Sequence, residues 1–390
     1  MAGKRPRVVH VYKDVYPPVQ GGIERTIHQL ALHTRERFDV GVIVASRDRR
    51  GRTRTIAPDI DVTEVASFGR AFSAPLAPGF IDAIRRSRAD LLHFHIPHPT
   101  GEMAWLLSGL RIPAVATYHS DVVRQQWAMG IYGRFFHAFL SRLHTIMPTS
   151  QRYLQTSLWL APHADRCQVV PLGFDLRRYR ATPAIKRRAQ SMRTRYGEFA
   201  LFLGCLRAYK GLHNLLMATA MAPRLRVVIA GDGPMGGELR ALASRLGIDD
   251  RVTLTGRVSD EEAVALLHAS AMVVLPSHLR SEAFGLVQVE AMACGKPVIS
   301  TDLPTGVPEV NPHGITGLIV PPQEPQALAD AMMSLLNDPQ TRREMGAAGR
   351  RRARLLYTAE RMAAAVERVY CAALGLLMEE GSISAADEHR

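Results

Sequence analysis

Apolar residues along the chain fall into two kinds of run that alternate from one end to the other. Short stretches rich in Val, Ile and Leu have strand character, and between them apolar positions recur at the spacing of a helix buried on one face. In the first half the strand-like runs cover residues 7–12, 40–45, 61–65, 90–95, 114–119 and 145–149. Between the first two, Ile23, Ile27, Leu30 and Ala31 keep helical spacing. A second series covers 199–203, 226–230, 252–255, 272–275, 297–300 and 317–320, each followed by a helix or turn signal. Ser259 and Glu262 stand in the capping-box relation ahead of Val264, Leu266 and Leu267, which marks one helix start.

Repeated strand–helix units predict an α/β chain with two doubly wound, Rossmann-like parallel sheets facing a cleft. Ligands of such sheets bind beyond the carboxyl ends of the strands. Residues 171–196 carry Pro183, a run of Lys and Arg and few apolar positions, and read as an inter-domain linker. The expected units are a first domain over 1–175 and a second over 176–357. Residues 358–390 are expected to form a C-terminal helix packed back on the first domain, with a flexible tail. The segment 339–378 is helical by composition, and Arg350, Arg351, Arg352 and Arg354 within it read as a solvated face.

Composition narrows the class. With 390 residues, 47% of them hydrophobic and 22% charged, the chain is globular and too long for one ordinary core. No apolar run approaches the ~20 residues that span a bilayer, and the basic start leads into a strand instead of a signal-peptide core. A cytoplasmic protein is expected. The four cysteines lie far apart with no zinc-type spacing. A net charge of +13 favours an anionic partner: nucleic acid, an anionic membrane face or a phosphate-bearing substrate. Arg47, Arg49, Arg50, Arg52 and Arg54 form one basic cluster, but without interleaved aromatics or a reader motif it argues against nucleic acid. It reads as solvated surface or as a patch for peripheral docking on the inner face of a membrane.

Candidate chemistry gathers in the second half. Directly after the run 199–203 come Gly204, Arg207, Lys210 and Gly211. A glycine at a strand end lets a phosphate approach the backbone, and two cations three residues apart can neutralise a diphosphate. As plain surface charges at a helix start they would oppose the helix dipole, which favours the functional reading. Farther on, Glu282 and Glu290 are separated by seven residues. A helix beginning near Phe284 and Gly285 would aim free N–H groups at the cleft, with Glu290 inside it. Glu290 is flanked by apolar and small residues. Either a ribose diol or a neighbouring Arg or backbone group would compensate its burial.

These segments resemble family 4 of the retaining glycosyltransferases, which have the GT-B fold, along nearly the whole chain. The likeness includes Gly21, Gly22, Ile23 and Glu24 after the first strand, Tyr118, His119, Ser120 and Asp121 after another, and Pro171 to Asp175, where Leu172 replaces the family's usual Asn. The resemblance implies that Arg207 and Lys210 hold the donor diphosphate, that Glu290 binds ribose and that Glu282 contacts the transferred sugar. It further implies that the backbone of Phe284, Gly285, Leu286 and Val287 faces sugar and phosphates, and that the base lies beside Arg257 and Val258. His119 would stand on the opposite wall, and Gly21 and Gly22 would leave room for phosphates and acceptor, with Asp121 on the acceptor side. A lone histidine at a strand end is more often a packing residue, but Ser120 and Asp121 follow His119 directly, and Asp121 is placed to orient or charge its ring.

The implied partners are a nucleotide-sugar donor and a glycan or lipid-linked acceptor, with no cofactor. The wording around Tyr118 and Glu282 resembles members that use GDP-mannose or a related donor to build bacterial surface polysaccharides, in preference to UDP-sugars. No Asp-x-Asp pair is placed to bridge a metal to the phosphates, so metal independence is expected. A sugar-nucleotide epimerase on the same fold is the alternative enzyme. Gly231, Gly233 and Gly236 spell a dinucleotide fingerprint. Pro234 interrupts it and it follows the second strand of its series, so a tight turn beside the donor site is the better reading.

Overall fold

A computed structural model describes residues 4–376 except 20, 48, 72–73 and 122–128. The predicted flexible tail, and the end of the predicted 339–378 helical segment, therefore lie outside the described residues from 377 onward. Two parallel sheets organise the chain. The first contains β1 (Arg7–Val11), β2 (Asp39–Ala45), β3 (Arg52–Ala57) and β4 (Ile60–Val65). A two-stranded hairpin, β5 (Arg70–Ala71) and β6 (Ala74–Pro75), stands apart before β7 (Leu91–Ile96), β8 (Ala114–Tyr118) and β9 (Thr145–Pro148) rejoin the sheet. The second contains β10 (Ala200–Leu203), β11 (Val227–Ala230), β12 (Val252–Gly256), β13 (Met272–Leu275), β14 (Val298–Thr301) and β15 (Gly317–Val320).

The strand orders are β3-β4-β2-β1-β7-β8-β9 and β12-β11-β10-β13-β14-β15, and every pair is parallel except β3 with β4 within the first sheet. Both are doubly wound. In each sheet the order reverses next to the first strand, opening a crevice at the carboxyl ends of β1 and β7 and of β10 and β13. Strands buried on both faces need continuous apolar runs, and β7, β8 and β13 are buried at every position.

β3 lies where the basic cluster was read. It is an antiparallel edge strand whose Arg52 and Arg54 each place Nε 2.6 Å from the buried Glu64 of β4. Part of that charge is thus neutralised within the sheet. The proposed linker is also corrected. After a 3-10 turn at Leu176–Tyr179, residues Pro183–Tyr196 form a helix capped by Thr182, which buries Ile185 and Ala189 and packs on the helix Asp260–Ala269. Two apolar positions suffice for a helix with one covered face, so the polar run hid it.

Of the arginines read as a solvated face, Arg352 donates to the carbonyls of Glu309 and Val310 and Arg350 to that of Cys294. The last helix, Ala359–Leu374, packs on the helix Gly22–Thr34. One apolar cluster, including Ile27, Phe38, Phe284, Met292, Tyr357, Val366 and Tyr370, runs across both units through it. No described helix is long and apolar enough to cross a membrane.

Candidate active site

A cleft of about 1080 Å³ opens between the carboxyl ends of the two sheets. Gly21, Gly22, His119, Lys210, Arg257, Val258, Glu282, Glu290 and the stretch from Phe284 to Val287 all line it. Residues from five strand ends are thereby brought together. Arg207 is exposed at the start of the turn Ala208–Lys210 and is not among the lining residues. It is close enough to Glu24, across the opening, for each to shift the other's proton affinity.

The centre of the site is an ion pair. Lys210 Nζ lies 2.5 Å from Glu282 Oε2, which also accepts from Ser277 Oγ at 2.9 Å. Burial disfavours the ammonium, but the carboxylate beside it and the Tyr209 hydroxyl outweigh that, and the Lys210 pKa is raised. The lysine is therefore charged at neutral pH. Beside the pair, the helix Leu286–Ala293 starts at Gly285, whose φ of 71° is left-handed. An added Cβ there would run into Leu275 and Gln288. Only glycine turns the chain this sharply, and the turn points the first N–H groups at the cavity.

Among the described residues Glu290 pairs with neither an arginine nor the backbone: it accepts from Tyr179 Oη at 2.8 Å. Burial raises its pKa, opposed by that hydrogen bond and by Arg25 and Arg178 nearby. Those two arginines both reach Asp260, at 2.6 and 2.7 Å, so one carboxylate ties the first helix to the second unit. Sequence reasoning missed this group. Arg25 directly follows the Gly-Gly-Ile-Glu segment, Asp260 sits inside the recognised capping box, and Tyr179 was passed over as linker. The fingerprint-like segment is a tight turn: Asp232 O accepts from the N–H of Leu206, and Leu206 O from that of Met235.

Asp121 requires a correction. Its carboxylate takes Tyr118 Oη and Ser157 Oγ, both at 2.7 Å, and Arg280 Nε from the second unit at 3.0 Å, so it does not orient His119. It also does not line the cleft. The ring of His119 instead meets His95, with Nε2 to Nδ1 at 3.1 Å.

Burial pushes His10, His98 and His119 down to about 3, and drives His93 and His95 well below the ordinary imidazole range with help from their histidine neighbours. The unfolded chain therefore binds protons that the folded one refuses below about pH 6.5, and folding stability falls as pH drops through that value. Each such imidazole removes up to about 1.4 kcal/mol per pH unit. The thermal midpoint is expected to be level between about pH 7 and 8 and to fall steeply between about pH 6 and 5. A midpoint unchanged down to that lower pH would mean that these rings are not held neutral by burial.

The chain resembles known proteins along both units. The sequence pattern of Glycosyl transferases group 1 matches residues 186–352, and that of Glycosyltransferase Family 4 matches residues 20–178. The chain is 38% identical over 361 residues to D-rhamnosyltransferase WbpZ of Pseudomonas aeruginosa, covering 90% of this chain and 92% of that one. It is 34% identical over 376 residues to O-antigen chain mannosyltransferase C of Escherichia coli, covering 93% and 98%. The fold also matches sucrose-phosphate synthase from Thermosynechococcus elongatus with a TM-score of 0.82, at 24% identity over 95% of this chain and 100% of that chain. With relatives this similar along nine-tenths of its length, and both family patterns meeting at one cleft, the chain belongs to the group 1, family 4 glycosyltransferases and has their two-lobed GT-B fold.

Proposed function

We propose that the protein transfers a hexose, with retention and without a bound metal, from a GDP-mannose-like donor to a glycan or lipid-linked acceptor in surface-polysaccharide synthesis. The observation that carries this reading is the Lys210–Glu282 pair beside the amino end of the helix Leu286–Ala293, inside the cleft between the sheets. Two kinds of positive potential, an ammonium and a helix tip, converge where a departing nucleoside diphosphate needs them. The choice of sugar leans on the relatives, a D-rhamnosyltransferase and an O-antigen mannosyltransferase.

In this reading Lys210, with Arg207 from the rim, and the backbone from Phe284 to Val287 receive the diphosphate. Glu290 takes the ribose, displacing Tyr179, while Arg257 and Val258 flank the base. Glu282 and His119 hold the transferred sugar from opposite walls, and Gly21 and Gly22 leave room for phosphates and acceptor. Residues 1–175 then act as the acceptor-side unit and 176–357 as the donor unit, with the helix Ala359–Leu374 packed back on the first. The bond from the anomeric carbon to the phosphate oxygen breaks as a bond to the acceptor oxygen forms on the same face. The acceptor proton passes to the departing phosphate oxygen. Docking on an anionic membrane by Arg49, Arg50 and Arg52 would bring a lipid-linked acceptor within reach.

A thermal-shift series in chelator tests the donor. GDP-mannose is expected to raise the midpoint more than UDP-glucose, since a ligand at 100 times its Kd adds about 2.7 kcal/mol of stability. Nucleotide release from GDP-mannose should be equal with and without chelator. Activity lost in chelator and restored by magnesium or manganese would overturn metal independence.

A further inference from the structure

Beneath His119 the first unit holds a file of imidazoles. His119 Nε2 lies 3.1 Å from His95 Nδ1, and His95 Nε2 lies 3.0 Å from His10 Nδ1. The rings are stacked in both pairs, tilted by 22°, and all three are buried. His10 Nε2, at the far end, has no hydrogen-bond partner among the described residues. His93 stacks on His95 with centroids 4.3 Å apart, but its own nitrogens are held by Tyr370 Oη and Thr117 Oγ1. It therefore does not terminate the file. At the near end His119 reaches the cleft, and no protein group among the described residues takes its Nδ1.

A neutral imidazole carries one N–H and one lone pair, so two successive hydrogen bonds have only two polarities. In the first, every ring donates from Nε2, and the file ends in a buried His10 N–H without an acceptor. In the second, every ring donates from Nδ1 and the file ends in a bare lone pair. Buried N–H groups without partners are the rarer defect in native proteins, so the second polarity is favoured. His95 then donates to His119 Nε2, and the proton of His119 sits on Nδ1, facing the cleft.

We propose that His95 and His10 are positioning residues that lock His119 in its Nδ1–H tautomer, so that its cleft edge donates a hydrogen bond to a substrate oxygen and accepts no proton. The substrate contact rests on the reading of His119 given above; the lock does not. It assigns His119 the stabilisation of an oxygen that gains negative charge during transfer, and removes it from the role of general base.

The test is nitrogen NMR of the full-length protein labelled at the imidazole nitrogens, with the His119 signals identified by their loss in His119→Asn. Wild-type His119 is expected to carry its proton on Nδ1, against the Nε2–H preference of imidazole free in water. In His95→Asp, which sets an accepting carboxylate oxygen against His119 Nε2, that nitrogen should become protonated, and kcat should fall roughly tenfold, the scale on which outer partners of a working imidazole act. A wild-type His119 protonated on Nε2, or a His119 Nε2 still unprotonated in His95→Asp, overturns the lock. So does stoichiometric binding of a divalent ion at His10 and His95, because those lone pairs would then be taken. If His119→Ala turns over normally while wild-type His119 carries the Nδ1 proton, the substrate contact fails and the lock stands. The wild-type spectrum decides the tautomer even if His95→Asp folds poorly.

Discussion

Lys210→Ala is expected to lower kcat by roughly 100- to 1000-fold, the effect of removing one preorganised donor from a developing negative charge. The substitution also leaves Glu282 with only the Ser277 hydroxyl, in a place where its side chain is 9% exposed. Breaking a buried ion pair by removing one partner costs roughly 3–5 kcal/mol, and the residual exposure of both groups sets the lower end here. Loss of activity and loss of folding must therefore be separated. The double variant Lys210→Met/Glu282→Gln removes both charges and is expected to regain most of the stability, because a pair replaced by neutral groups of similar size is often close to neutral. Its transfer activity should stay lost. Thermal midpoints and nucleotide release measured on the two proteins decide the matter: recovery of turnover in the double variant would assign Lys210 a structural role only.

Gly211→Ala should be among the most damaging single methyls in the second unit. Gly211 links Lys210 to the helix Leu212–Met221 with φ 67° and ψ 24°. A side chain in that left-handed region costs roughly 1–2 kcal/mol. The new Cβ would also run into the backbone carbonyl of Pro276, which follows β13 and cannot swing aside as a flexible side chain does. A total near 3 kcal/mol is expected, within the tail of single-residue effects reserved for backbone strain. Because Lys210 is the preceding residue, the shift should also pull its ammonium off Glu282 and reduce turnover. Gly237→Ala is the control. That glycine lies in the helix Gly236–Arg245 with open space around its Cβ position, and alanine there should stabilise by up to about 1 kcal/mol. Similar midpoints for the two variants would refute the clash.

Much of the architecture is local and could be read without coordinates. Strands buried on both faces need unbroken apolar runs and crossover helices need a single apolar stripe, so alternating patterns lead to doubly wound sheets. The same holds for the capping box at Ser259, whose two hydrogen bonds join residues three apart, and for the helix tip at Gly285. Edge elements were less legible. β3 is exposed along much of its length and reads as an arginine cluster, and the helix Pro183–Tyr196 covers too little apolar surface to declare itself.

The amino-acid order alone determined that the chain would form strand–helix units and that cations, glycines and two glutamates would stand at strand ends. What those groups touch was decided by the fold. Glu290 meets Tyr179 across 111 positions, Asp121 meets Arg280 across 159, and His93 meets Tyr370 across 277. Such pairs depend on which strands lie side by side and how the two sheets face each other. That arrangement follows from closing all the apolar surfaces at once, and no local window of sequence contains it.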